Sequence, residues 1–451
     1  MLKWIQGSIS SVTGLAEPEY GTDHIHPCTK KSLLDSSNPF VEATSKDFHW
    51  QVPENTNVET STFYFKDFNK GYIGFAQVIH SNIGGLHTTA QFTFKLYNYL
   101  KKPSADSKDA TTFETIWASN HLDEVEIING NFYSDSLKIE WIDNDTKIHF
   151  VSDDTNDDLK VDLTFTKIAP GVKVGEDPTT YYGPDIENSW GRMRHVFWPR
   201  NECTGTITLP GDHEVIEFDN SGNKAIGMFV MALQGMKPHH AAKSWNFMNF
   251  VNEHYSAVLM EFVTPKSYGN TKVSVGIVVK DDKILSCTVD NDCQHLDCIV
   301  DSVGWSCPTK VVIDYNGVYN DSVVNTPFHA TLEGSLGDEE LVERVDVMKE
   351  IPTFIKNIVT GVAGTKPYIY QYCSDFTLTI KKEGNEEDGK EREKGETDIV
   401  EHGVGWFEFT FILEESADNA DDVENVRNDD YEDSNNYTVD SMTDDLAGTW
   451  I

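Results

Sequence analysis

Residues 90–100 read AQFTFKLYNYL. In an extended chain Phe92, Phe94, Leu96 and Leu100 fall on one side, and Gln91, Thr93, Lys95 and Tyr97 on the other. Such a period of two predicts a half-buried antiparallel strand.

The same rule recurs along the chain. LKIEWI (137–142) aligns Leu137, Ile139 and Trp141, and VDLTFTKI (161–168) aligns Val161, Leu163 and Phe165. VSVGIVV (273–279), YIYQYCSDFTLTI (368–380) and WFEFTFIL (406–413) continue it. In the last, Phe407, Phe409, Phe411 and Leu413 oppose Glu408 and Thr410. Turn signals divide these runs: Asn129-Gly130, the acidic stretch Asp153–Asp158, and Asn220-Ser221-Gly222-Asn223. Many short strands with one long helical pattern predict an all-β chain of sandwiches or barrels, not a βαβ fold.

That helical pattern is MLKWIQGSISSVTGLA (1–16). Leu2, Ile5, Ile9, Val12 and Ala16 share one face at helical spacing, widened by Met1, Trp4 and Leu15. The opposite face carries Ser, Thr, Gly and Gln with Lys3 as its only charge, and Pro18 ends the helix. An amphipathic helix with so little charge enters a bilayer through its apolar side chains, not through attraction to anionic lipid. Its competing role is a docking helix on the protein's own body. Acetylation of Met1 would remove the terminal ammonium that opposes insertion.

The predicted organisation is a helix at 1–17, a linker at 18–50, β-domains at 51–211 and 212–415, and an acidic tail at 416–451. The break is placed at Pro210-Gly211-Asp212. A charged, low-complexity insertion at 382–401 and the tail read as disordered. From Glu414 to Asp445 there are 13 acidic residues and one Arg.

Charge narrows function. Across 451 residues, 36 Lys+Arg against 74 Asp+Glu give −38. That balance excludes ordinary nucleic-acid binding, which rests on cations displacing phosphate counterions. No apolar run approaches the ~18 residues of a spanning helix. Gln6, Gly7 and Ser8 break any secretory signal. Seven cysteines, an odd number, suit free thiols in a reducing compartment. The chain reads as cytoplasmic.

Metal and catalytic patterns are weak. Cys287, Cys293, Cys298 and Cys307, with His295 between them, lack the paired spacing of zinc sites. His24-x-His26-x-Cys28 and His239-His240 carry no stronger signal. No metal or cofactor is expected, and no catalytic motif appears. SWGRMRHVFWPR sets Trp190 and Trp198 beside Arg192, Arg194 and Arg200. This cluster is either a polar anchor at the mouth of an apolar cavity, with Trp190, Arg192, Arg194 and Trp198 as ligand contacts, or Arg–Trp packing at a domain seam.

Longer motifs carry a resemblance. MLKWIQGSISSVTGLAEPEYG (1–21), NVETSTFYF (57–65), GYIGFAQVIHSNIGGLHTTAQFTFKLY (71–97), GPDIENSWGRMRHVFWPR (183–200) and MKPHHAAKSWNFMNF (236–250) resemble the fungal survival factor family. The resemblance implies two tandem lipocalin-like antiparallel β-barrels preceded by the amphipathic helix. It implies a carrier that moves ceramide without vesicles from the endoplasmic reticulum to the Golgi and supports survival of oxidative stress. It implies an N-acetylated membrane helix, carried here by Met1, Leu2, Trp4, Ile5, Ile9 and Val12. Location would be cytoplasmic, peripheral to both membranes, with the nucleus left open. The implied fold is also that of carotenoid hydratases, so an enzyme remains an alternative, with Asp185, Glu187 or Glu261 as its acid. A ligand-free acidic scaffold is the other alternative. The carrier, a non-enzyme, is the reading adopted.

Overall fold

The computed structural model describes residues 19–413 apart from 36–37, 84, 86, 101–114, 155–157, 212, 220–224, 322–324, 348–364 and 383–396. The N-terminal helix, most of the charged insertion and the acidic tail lie outside these residues.

Two antiparallel sheets, each curled nearly into a barrel, account for most of the chain. The first runs, in hydrogen-bonded order, Thr115–His121, His87–Asn98, Tyr72–Ile83, Asn57–Lys66, Ala225–Gln234, Gly191–Thr208, Leu159–Lys167, Lys147–Asp154, Leu137–Ile142, Asn131–Tyr133 and Glu126–Ile128. Its two edges approach one another, and Asp135 N–H donates to the Asp123 carbonyl at 3.1 Å. Asn129 takes a left-handed φ of 57° in the tight turn predicted there. The ladder slips between Trp198 and Asn201, beside Pro199, which has no N–H to give.

The second sheet runs Lys283–Thr288, Lys272–Lys280, Tyr255–Val263, Ser244–Val251, Ile399–Leu413, Thr365–Ile380, Pro327–Ser335, Lys310–Val318 and Asp290–Leu296. Asn320 N–H reaches Leu285 O at 2.8 Å, and Ser286 Oγ reaches Val318 O at 2.8 Å, drawing its ends together.

Three apolar clusters follow from this arrangement. One fills the first barrel, one fills the second, and the third lies in the seam where the sheets pack outer face to outer face. In the seam Tyr64 stacks on Phe247 at 5.1 Å, and Trp406 meets Phe75 at 6.1 Å and Tyr97 at 5.9 Å. Arg200 crosses it, donating to the carbonyls of Asn252, Glu253 and Tyr255 and to Ser256 Oγ.

This seam corrects the half-buried expectation for residues 90–100. Phe92, Phe94 and Leu96 do enter the first barrel, but Thr93, Lys95 and Tyr97 are buried as well, under the second sheet. Leu100 lies in the following turn and is exposed. Strand Leu159–Lys167, away from the seam, keeps strict alternation.

Two boundaries also move. Val215–Phe218 and Ala225–Gln234 pair within the first sheet, so the chain changes sheets at 235–243 and not at 212. The segment at 18–50 is no bare linker. Ile25–His26 pairs with Tyr181–Tyr182, Cys28–Asp35 is helical, and Phe40–Ala43 pairs with Gly171–Val174. Backbone pairing to a distant strand leaves no periodic trace in so short a stretch.

Candidate functional site

The Trp–Arg cluster of residues 190–200 is dispersed by its own strand. Trp198 is buried inside the first barrel, stacked on Trp141 at 5.5 Å, with its indole N–H on Ala169 O. Arg194 lies toward the mouth of that barrel and donates to Asp47 O at 2.7 Å. Arg192 pairs through its backbone with Tyr181. Trp190 belongs to the seam, where its indole donates to Tyr268 OH at 2.8 Å and its ring packs on Tyr20 and His24. These four side chains do not converge on one ligand.

Of the three acids, Asp185 and Glu187 are exposed, Asp185 holding Asn188 in a turn. Glu261 is different. It is only 4% exposed and lies on strand Tyr255–Val263, facing into the second barrel. Register explains its position. Asn246 pairs with Glu261 as Met248 pairs with Leu259, and Met248 and Leu259 are core residues of that barrel.

A hydrogen-bonded line leads to this carboxylate. His295 Nε2–H donates to Asn246 Oδ1 at 2.9 Å, and Asn246 Nδ2 donates to Glu261 Oε1 at 3.1 Å. Glu261 Oε2 accepts no hydrogen bond, and the nearest cation, Lys272 Nζ, is 3.9 Å away. Burial pushes the Glu261 carboxyl above its ordinary pKa, against the pull of Lys272 and the hydrogen bonds from Asn246 and Ser274. Burial also lowers the His295 pKa to about 4, so its imidazole is neutral at pH 7.

Aromatic side chains surround this set. His295 lies 5.3 Å from Phe409 and 6.5 Å from Phe411, and Trp305 stacks on Phe411 at 4.7 Å. Tyr370 stacks on Phe409 at 4.8 Å. Phe411 and Tyr368 are half-buried and form the next row outward. Below, Phe407, Met248 and Leu259 are fully buried and close the barrel. At this end of the second barrel Asn246, Glu261 and His295 thus lie beneath an aromatic rim, and Glu261 Oε2 has only the distant Lys272 ammonium beside it.

The seam holds a second polar line, but its groups satisfy one another. Glu408 accepts from Trp406 Nε1 at 2.6 Å and from Gln371 Nε2 at 3.0 Å, while Lys95 binds Gln371 and Glu343. The adjoining cavity beside Lys66 encloses about 10 Å³, room for one water and not for a lipid. The four cysteines weighed as zinc ligands are spread out, Cys287 in the seam and Cys298 at the surface. Among the described residues no three His, Cys, Asp or Glu side chains gather around a metal position.

Asn246 was legible only as one polar residue in the apolar stripe of SWNFMNF, and His295 only as a doubtful metal ligand. Their meeting depends on the pairing of Asp290–Leu296 with Lys310–Val318 and the curl of the sheet.

Two nearly closed antiparallel barrels in tandem, one with a buried carboxylate beneath an aromatic rim, define an all-β protein of paired barrels. The chain belongs to the Svf1 family, whose pattern matches residues 2–413. It is 51% identical over 424 residues to the ceramide-binding protein SVF1 of Kluyveromyces lactis, covering 92% of this chain and 98% of that one. The Debaryomyces hansenii protein of the same name is 48% identical over 414 residues, covering 92% and 100%. Among solved structures, CghA superposes with a TM-score of 0.52 at 10% identity, covering 84% of this chain and 99% of that one. That likeness concerns the fold alone.

Proposed function

We propose that this protein binds ceramide and carries it between membranes as a non-enzymatic transfer protein. The observation that carries the reading is near full-length identity to relatives named for ceramide binding. The aromatic rim and buried carboxylate of the second barrel supply fitting chemistry. A ceramide headgroup offers an amide N–H and hydroxyl donors, and Glu261 Oε2 is a buried acceptor with no donor of its own. Trp305, Phe411 and Tyr368 give the adjoining chains an apolar rim.

Energetics require a membrane-touching carrier. Each acyl CH₂ exposed to water costs about 0.8 kcal/mol, so a two-chain lipid scarcely leaves its bilayer unaided. We assign reversible contact to the helix at 1–16, through Met1, Leu2, Trp4, Ile5, Ile9 and Val12, with Met1 acetylated. The route proposed is cytoplasmic, from endoplasmic reticulum to Golgi membranes, and protection against oxidative stress follows indirectly from sphingolipid balance. Burial raises the thiol pKa of Cys28, Cys203, Cys287, Cys293, Cys307 and Cys373, which keeps them protonated and unreactive.

The test is mass spectrometry of lipids that co-purify with the full chain, with a chain lacking residues 1–16, and with Glu261→Leu. Ceramide is expected on the first two and strongly reduced on the third. Absence of sphingolipid from the full chain would remove the basis of the reading.

A further inference from the structure

We propose that the hairpin Ile299–Val300/Ser306–Cys307, at the aromatic rim of the second barrel, is a second membrane-contact element and seats Ile299 and Val300 in an uncharged bilayer surface. Ile299 and Val300 are adjacent in sequence and 64% and 68% exposed, more than any other large hydrophobic side chain among the described residues. They are not loose. Asp301 Oδ1 accepts from the backbone N–H groups of Val303 and Trp305 at 2.9 and 3.0 Å. Asp301 Oδ2 accepts from Tyr370 OH at 2.6 Å and Arg344 Nη1 at 3.0 Å. Lys366 Nζ donates to Val303 O, and Trp305 Nε1 donates to Lys366 O at 3.1 Å. A clasp of this kind holds two aliphatic side chains in water by design of the turn, not by fraying.

The hairpin's other strand leads back from the rim. Trp305 stacks on Phe411 there, so the exposed pair and the aromatic rim share one rigid element. Charge selects the surface. The chain is strongly acidic overall, and Asp297 lies two residues before the pair, so an anionic bilayer is disfavoured and a zwitterionic one is not. Seating this pair would bring the aromatic rim of the barrel to the level of lipid headgroups, where a donor group could pass to Glu261 without crossing water. Only this last step rests on the ceramide reading. The membrane contact itself does not.

Cys298 precedes the pair and is exposed, whereas Cys28, Cys203, Cys287, Cys307 and Cys373 are buried and Cys293 half-buried, which makes it a native labelling position. The full chain carrying an environment-sensitive dye on Cys298 is mixed with ceramide-free phosphatidylcholine vesicles. The expected result is a blue-shifted emission quenched by membrane-embedded spin-labelled lipid. A dye that remains aqueous while the protein floats with the vesicles overturns the proposal, as does failure of the protein to float at all. Ile299→Ser with Val300→Ser, both surface changes, should leave the melting temperature unchanged and abolish the blue shift. In a ceramide-transfer assay between phosphatidylcholine vesicles the double variant should slow the initial rate about tenfold, since binding scales with buried apolar area. An unchanged rate in a variant that has lost the blue shift would refute the delivery step alone. Loss of ceramide binding by the parent protein in detergent would refute the ceramide reading and leave the vesicle contact standing.

Discussion

The two barrels share an architecture but differ in what fills them. In the first, Phe63 lies at the centre of a stack, 4.5 Å from Phe229, 5.0 Å from Phe165 and 5.4 Å from Phe150. At its mouth Glu59 accepts from the backbone of Gln51 and Val52, while the neighbouring Asn57 Oδ1 and His80 Nδ1 are buried without a hydrogen-bond partner. In the second, the aromatic rows continue to a rim of Phe411 and Trp305, and Asn246, Glu261 and His295 lie beneath it. Tandem duplication of a fold therefore need not duplicate a site. Each copy buries a carboxylate among its strands, Glu59 held by backbone N–H groups and Glu261 by the Asn246 amide, so the same fold sets different polar partners.

The largest expected effect separates the copies directly. Phe63→Ala should destabilise the protein by about 3–5 kcal/mol, the range for deleting a buried Phe, and leave lipid selectivity unchanged. Phe411→Ala, at the half-buried rim, should cost less than half as much and weaken lipid binding instead. Urea denaturation paired with a ceramide-binding titration checks both. Equal stability losses would erase the distinction drawn here.

The seam joining the barrels should come next. Glu408→Leu leaves the Trp406 indole and the Gln371 amide without their acceptor in a buried layer, at about 1–3 kcal/mol for each orphaned group. Loss of a single cooperative unfolding transition in calorimetry would mark uncoupling of the two sheets.

Acid should act on the seam and the second barrel together. Burial lowers the pKa of His195 to about 3, of His239 to about 2 and of His295 to about 4. The unfolded chain then binds more protons below the ordinary pKa of 6.5, so stability is full above pH 6.5 and falls as pH drops toward those values. Each histidine contributes up to about 1.4 kcal/mol per pH unit in that window. Glu261 has the opposite sign. Its raised pKa means stability is full below the ordinary value of 4.5 and declines as pH rises through the folded-state pKa. Glu261→Gln should remove that decline, and a melting-temperature profile against pH reads both signs.

The smallest effect is expected from the thiols. Replacing all seven cysteines with Ser or Ala, chosen by burial, should leave lipid binding unchanged in the folded protein. Lost binding in a folded variant would give the thiols a role that their burial argues against.

Much of this was written in the chain. The period of two in residues 137–142 and 161–168 fixes strands and their inward faces, because alternation is a property of the extended backbone itself. Turn residues such as Asn129 mark the hairpins, and long motifs carry the family. Other features required the folded chain. Lys95 and Glu408 look like solvent-facing residues in their strands and are buried, because a second sheet covers the face that one strand alone would show to water. The change of sheet at 235–243 was hidden since the last strand of the first barrel, Ala225–Gln234, is buried on both faces and lacks alternation. Glu261, Asn246 and His295 are separated by up to 49 positions, and only curling of the sheet brings them within hydrogen-bonding reach. Local sequence determines which way a side chain points along its own strand. What stands opposite it is set by strand register and sheet closure, and those are decided by the whole core at once.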